Sequence, residues 1–240
     1  MLGVPVETFR GNKVVMLAVA ALGAMITLGW LSFDSERTMA TLWPLVMMDG
    51  LLAFNLYWLT TVEVVIYDGG ISSRTVLGTA EMRWDEVARF YYSATKQSVN
   101  FIPVGTYYDL RLESEAGKKI KFGNRAERMQ ALADQLVRYT LPPIYKRVAE
   151  LYNSGAEVDF GAIKVSKAGF KARGIFGLRN LHLAMEEVAD YRIDAGVFYV
   201  YRTGKRMPYL HAQLNTVPNA FALLALLDSL FQRSPEVAAP

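Results

Sequence analysis

The chain opens with two long apolar runs and then changes period. Residues 14–33 are twenty positions without a charge, enough at about 1.5 Å per residue for a helix of roughly 30 Å. Residues 41–61 repeat the pattern, broken by the single charge of Asp49. Between the runs, Asp34-Ser35-Glu36-Arg37-Thr38 suffices to turn the chain. From residue 62 alternation takes over. Glu63-Val64-Val65-Ile66-Tyr67 is β-rich and ends on the turn signal Asp68-Gly69-Gly70. Tyr108, Leu110 and Leu112 alternate with Asp109, Arg111 and Glu113; after a turn at 114–117, Ile120 and Phe122 alternate with Lys119 and Lys121. That pattern predicts a half-buried hairpin. Met129, Leu132, Ala133 and Leu136 predict a helix over about 125–139, which Leu141-Pro142-Pro143 interrupts before a second helical stretch over 144–153.

The same order then recurs. Lys167-Ala168-Gly169-Phe170 stands against Asp68-Gly69-Gly70-Ile71, and Met185-Glu186-Glu187-Val188 against Trp84-Asp85-Glu86-Val87. Gly204-Lys205-Arg206 matches Gly117-Lys118-Lys119, and an apolar-striped helix over 218–231 matches the helix of the first copy. The offset is 99 at Gly70 and Gly169, 101 at Glu86 and Glu187, and 87 at Gly117 and Gly204. A drop of 14 places an insertion in the first copy, within 93–106. The chain is therefore expected to divide into 1–61, a first repeat over 62–155, a second over 156–233, and a tail over 234–240.

Charge sharpens the division. Residues 1–61 carry three basic and four acidic residues, while 62–240 carry 23 basic and 19 acidic. That modest excess, without a block of like charges, argues against nucleic acid as a partner. The absence of cysteine removes disulfides, thiolate nucleophiles and Cys-ligated metals, and fits a cytoplasmic domain.

The two apolar runs are expected to form a transmembrane hairpin, with helices over about 14–33 and 41–61. A signal peptide is the competing reading of the first run, but the run exceeds an h-region of about 7–15 residues and a second run follows at once. Trp30, Trp43, Tyr57 and Trp58 sit near the ends, where aromatic belts form. Arg10, Lys13 and Arg74 outside the hairpin against Arg37 in the linker favour both termini inside. The expectation is an integral protein of a bacterial inner membrane, the bilayer itself a partner, with cytoplasmic domains. Asp49 is costly at mid-helix, about 2.5–3.5 kcal/mol on insertion scales. It reads either as a contact to a partner membrane protein or as a polar tie within the hairpin, with Thr27 at similar depth and Asn55 two turns along. Ala20, Gly23 and Ala24 allow close helix contact.

The strand–Gly–strand opening, the phrases Trp84-Asp85-Glu86-Val87 and Met185-Glu186-Glu187-Val188, and the terminal helix resemble a pleckstrin-homology-like domain. The whole chain resembles uncharacterised bacterial membrane-anchored proteins with tandem domains of this type, in which phrases similar to Glu157-Val158-Asp159-Phe160-Gly161 and Val217-Pro218-Asn219-Ala220 recur. The resemblance covers about 62–231. It implies an α+β region of two repeats, each a bent antiparallel sheet of about seven strands closed by a C-terminal helix. It also implies that basic residues of the first two strands hold lipid phosphates in relatives that bind headgroups. The candidates here are Lys164, Lys167, Lys171, Arg173 and Arg179; Lys171 and Arg173 share a strand face. The competing reading is a solvated outer face.

No catalytic constellation assembles from the sequence. His182 and His211 lie apart, without metal-ligand spacing. In Asp85-Glu86 and Glu186-Glu187 neighbouring side chains point to opposite strand faces, so neither pair converges on one atom. Gly117-Lys118 and Gly204-Lys205 lack the rest of a phosphate-binding loop. No cofactor is expected. The expected function is a non-enzymatic adaptor or accessory subunit of a membrane protein complex, the alternative a sensor of anionic lipid headgroups. The 93–106 insertion is the candidate partner-binding loop, with Phe101, Ile102 and Pro103 as its contacts. The oligomeric state is left open.

Overall fold

The structure is a computed structural model that describes residues 2–11, 13–33, 39–99, 102–123, 126–173, 180–194 and 196–231. It falls into two compact units: Met1–Met82 with Asn124–Met129, and Arg83–Gly123 with Gln130–Pro240.

In the first unit, β1 (Pro5–Arg10), β2 (Glu63–Tyr67), β3 (Gly70–Thr75) and β4 (Gly78–Arg83) form one sheet in that order. β1 pairs antiparallel with β2, Phe9 opposite Val64 and Arg10 opposite Glu63. The chain thus leaves the sheet at Gly11, forms helices α1 (Lys13–Phe33) and α2 (Met39–Thr61), and returns to the neighbouring strand. Phe9, Val64, Ile66, Ile71 and Met82 are buried in this sheet's core. Residues 126–128 lace onto β1: Gly11 bridges to Ala126, Glu127 N donates to Arg10 O at 2.7 Å, and Arg128 pairs with Glu7 and lies over the Phe9 ring.

The transmembrane expectation is corrected here. Among the described residues no helix is long and apolar enough to cross a membrane. In α2, Asp49 places a carboxylate at mid-helix. The finding concerns helices alone. The transmembrane hairpin over 1–61, and the integral placement in an inner membrane that rested on it, are withdrawn.

The second unit holds the rest. β5 (Val87–Val99), β6 (Ile102–Ser114) and β7 (Lys119–Phe122) form a three-stranded sheet, followed by α3 (Met129–Asn153). Next come β8 (Val158–Phe160), β9 (Ile163–Ser166), β10 (Gly169–Arg173) and β11 (Asn180–Ala184), ordered β11-β10-β9-β8. β12 (Val188–Asp194), β13 (Val197–Arg202) and β14 (Pro208–Gln213) form another three-stranded sheet, and α4 (Ala220–Leu230) ends the described chain.

One bent seven-stranded sheet per repeat is therefore also corrected, because the ladders divide into four-stranded and three-stranded sheets. The divisions fall where Trp84–Glu86 and Met185–Glu187 form 3-10 turns. Glu86 accepts from the Arg83 backbone N–H at 3.2 Å, and the Arg83 guanidinium pairs with Asp85. Glu187 pairs with Arg202. These acidic residues shape and brace turns.

The interruption expected at Pro142-Pro143 is absent, for α3 runs through both prolines. Leu132, Leu136, Thr140, Ile144, Val148 and Tyr152 are buried at a spacing of four, so the core-facing stripe continues across them. Pro142 and Pro143 lie exposed on the opposite face, near exposed Arg138, where water can meet the carbonyls they leave unpaired. Thr140 donates its hydroxyl to Leu136 O at 2.7 Å. Packing of the buried stripe outweighs the local cost of roughly 3 kcal/mol per interior proline.

Candidate functional site

In the first unit the polar residues of the helical pair meet. Thr27 Oγ1 donates to Asp49 Oδ1 at 3.0 Å. Gly23 is buried beside Leu52; a Cβ there would stand 2.2 Å from Leu52 Cδ2, so a larger residue would oblige the Leu52 side chain to shift. Ala20, Ala24, Thr27, Leu28, Asp49 and Leu52 line a shallow open groove. The side chain of Asn55 lies outside the described residues. Around this small polar centre the helices expose Leu22, Met25, Trp43, Val46, Met47, Leu51, Phe54 and Tyr57, each more than half accessible.

In the second unit the strand ladder aligns part of the basic cluster. Lys171 stands opposite His182 on one side and Lys164 on the other, with Asp159 opposite Lys164. Glu157 reaches between the lysines: Lys171 Nζ is 2.6 Å from its Oε2 and Lys164 Nζ 3.0 Å from its Oε1. Lys167 Nζ donates to Asn153 O at 2.9 Å. Arg179 and the side chain of Arg173 lie outside the described residues. The hydrogen bonds from Lys171 and then Lys164 hold the Glu157 carboxyl below the usual carboxylate range. A carboxyl depressed by folding favours the folded arrangement above its unfolded value, and that contribution is lost as pH falls through the folded value. The Glu157 side-chain carboxyl carbon is therefore expected to titrate below about 4.5 by NMR, the ordinary glutamate value. In Lys171→Met that midpoint should move up; an unchanged midpoint would break the assignment.

The insertion over 93–106 is a lengthened ribbon. β5 and β6 each run 13 residues, against 7 for β12 and 6 for β13. Their ladder continues to Val99 opposite Ile102. Ile102 and Pro103 are positions of β6; their side chains, and Phe101 altogether, lie outside the described residues.

The two short phrases that carried the resemblance come together. Asp159 Oδ1 accepts from Gly161 N–H at 2.7 Å, turning the chain between β8 and β9. Gly161 has φ +70°, and a Cβ on it would stand 2.8 Å from Thr216 O and 2.9 Å from Pro218 Cδ. One residue on, Asn219 takes the left-handed conformation (φ 59°, ψ 34°). Its backbone N–H donates to Phe90 O at 2.7 Å, its Oδ1 accepts from Phe90 N–H at 2.8 Å, and its Nδ2 donates to Ala88 O at 3.0 Å. Asn219 thereby occupies the edge of β5 much as a residue of an added strand would. Arg147 also donates to Val87 O and Ala88 O at 3.1 Å. The sequence reading quoted Asn219 as part of a phrase without finding this role, which only its partners on β5 reveal.

This arrangement extends over a stretch, residues 1–236, that matches a family of unknown function (DUF6585). The chain belongs to that family. No curated protein and no solved structure matches it. In this DUF6585 member, no group of three or more His, Cys, Asp or Glu residues among those described could hold a metal ion. His182 lies on β11 and His211 on β14, in different sheets. Tyr92 has its phenol pushed up to about 12, by burial first and then by Tyr108 and Asp134. Its ring packs edge-on against Tyr108 and Phe221, a core arrangement.

Proposed function

We propose that this family member is a non-enzymatic adaptor, an accessory subunit that binds partner proteins through α1–α2 and through the β5–β6 ribbon. The observation that carries the reading is the set of exposed large apolar side chains on α1 and α2. Large apolar side chains exposed in this number on two neighbouring helices favour a contact surface. Within it Asp49, which accepts from Thr27 through Oδ1, supplies a polar group that gives a partner register. The sequence resemblance to pleckstrin-homology-like proteins, which serve as binding platforms, adds to the reading.

A second reading, recognition of anionic headgroups, is favoured by the row formed by Lys164, Lys171 and His182. Glu157 opposes it, because a phosphate would have to displace a carboxylate already bonded to both lysines. One experiment separates the two. The full chain is purified in mild detergent beside Asp49→Leu and a deletion of 94–105. The adaptor reading expects a stoichiometric protein partner with wild type that at least one variant loses. Copurification of anionic lipid without protein would overturn it in favour of the second reading.

A further inference from the structure

The outer face of the β8–β11 sheet already holds an anion, and the chain itself supplies it. Lys164 and Lys171 stand directly opposite one another on β9 and β10. Like charges so placed repel and call for a negative group between them. Glu157 provides it with one oxygen to each ammonium, Oε2 to Lys171 Nζ at 2.6 Å and Oε1 to Lys164 Nζ at 3.0 Å. His182, exposed and opposite Lys171 on β11, extends the row by one strand on the same face. Asp159, opposite Lys164 on β8, lies at its other end. Glu157 itself belongs to no strand. It closes the short connection 154–157 after α3, whose backbone is fixed by Gly155 N–H to Tyr152 O at 3.0 Å and by Ala156 N–H to Leu151 O at 3.1 Å. The Glu157 side chain is 31% accessible, so its carboxylate can swing off the lysines while that backbone stays in place.

We propose that Glu157 is a self-ligand, a carboxylate that occupies the Lys164–Lys171 row in place of an external phosphate group and sets the threshold such a group must exceed. The proposal rests on the headgroup reading of this row and adds what gates it. Exposed ion pairs are weak, so little is lost when the carboxylate leaves. A tethered carboxylate nevertheless competes at high effective concentration, and it keeps out anions that bind no better than itself. A phosphate monoester binds better. It brings a charge of about −1.5 to −2 and three acceptor oxygens, one more than a carboxylate, for a third donor at His182. Glu157 thus turns a row of lysines that any anion could neutralise into one that selects for a multiply charged group.

The test compares the full chain with Glu157→Gln, Asp159→Asn, Lys171→Met and the double variant Glu157→Gln/Lys171→Met, all changes at exposed positions. The probes are inorganic phosphate, followed through the His182 imidazole by NMR, and phosphatidylcholine vesicles with and without phosphatidic acid. Plain phosphatidylcholine reads whatever the apolar helices contribute in every variant. Glu157→Gln is expected to bind at least about fivefold more tightly than wild type, and the double variant to lose that gain. Asp159→Asn removes the same charge from the same row and is expected to gain much less, because its carboxylate does not bridge the lysines. A gain with both probes assigns the phosphate group itself; a gain confined to phosphatidic acid vesicles assigns a lipid headgroup, and one confined to inorganic phosphate a soluble phosphate. An equal gain in Asp159→Asn would overturn the inference, reducing Glu157 to its share of the net charge. Wild type and Glu157→Gln binding alike, with Lys171→Met abolishing both, would overturn it and leave the headgroup reading in place. Binding of neither probe by Glu157→Gln would overturn the two together.

Discussion

Asn219→Ala is expected to lower unfolding free energy by about 2–4 kcal/mol, among the larger effects available from an only part-buried polar side chain. The argument has two parts. Alanine in the left-handed conformation costs roughly 1–2 kcal/mol, whereas asparagine visits it more readily. Truncation also removes the acceptor of Phe90 N–H and the donor to Ala88 O. A donor left unsatisfied away from water costs about 1–3 kcal/mol. The side chain does not cap its own helix, so no capping contribution is counted. Asn219→Gly separates the parts, since glycine relieves the backbone cost and leaves the hydrogen-bond loss. Urea unfolding of the three proteins should place the glycine variant between the other two. If alanine and wild type agree within about 0.5 kcal/mol, Asn219 does not hold β5 to the second repeat.

Local pattern made much of this architecture legible. Alternation marked β6 and β7 because one face of each is buried, with Leu110, Leu112, Ile120 and Phe122 inside and charges outside. The doubled order was visible because the 3-10 turns at 84–86 and 185–187 use the same residue types at the same place. β1 was missed. It is six residues long, only Phe9 is buried, and its partner β2 lies beyond both helices. A pairing across some fifty residues leaves no local signal. It nevertheless changes the picture of the chain. The connection that in the second repeat is the two-residue turn 161–162, between β8 and β9, is in the first repeat the whole α1–α2 pair, between β1 and β2. The membrane reading failed for a related reason, because a run of apolar letters fixes helix formation better than it fixes surroundings. The prolines of α3 misled in the opposite direction: a local cost was legible, and the buried stripe that outweighs it was not. As for the candidate surfaces, Thr27 and Asp49 could be placed at one depth by counting turns. Glu157, by contrast, sits outside the strands whose lysines were singled out, and its position between them depends on how β8, β9 and β10 pair.

Gly169→Ala should do more damage than any other single methyl group added to these turns. Gly169 opens β10, paired with Ser166 on one side and Ala184 on the other. Its φ of +131° is open to glycine and strained for every other residue. A Cβ would stand 2.1 Å from Leu183 O and 2.8 Å from Ala184 Cα, so the obstruction is backbone and cannot swing aside. Relief requires β10 to move away from β11, which breaks the ladder beside Phe170 and Leu183, both fully buried. The expected loss is about 3 kcal/mol or more, combining left-handed strain with disruption of a packed core. Gly204→Ala supplies the comparison. It too has positive φ, +73°, but nothing lies within 4 Å of its Cβ position, so backbone strain of about 1 kcal/mol is all that remains. Thermal unfolding should therefore separate two chemically identical changes by at least about 2 kcal/mol. Equal melting temperatures would mean that β10 and β11 have room to part. In that case the strand register that sets Lys171 between Lys164 and His182 would be looser than the ladder implies.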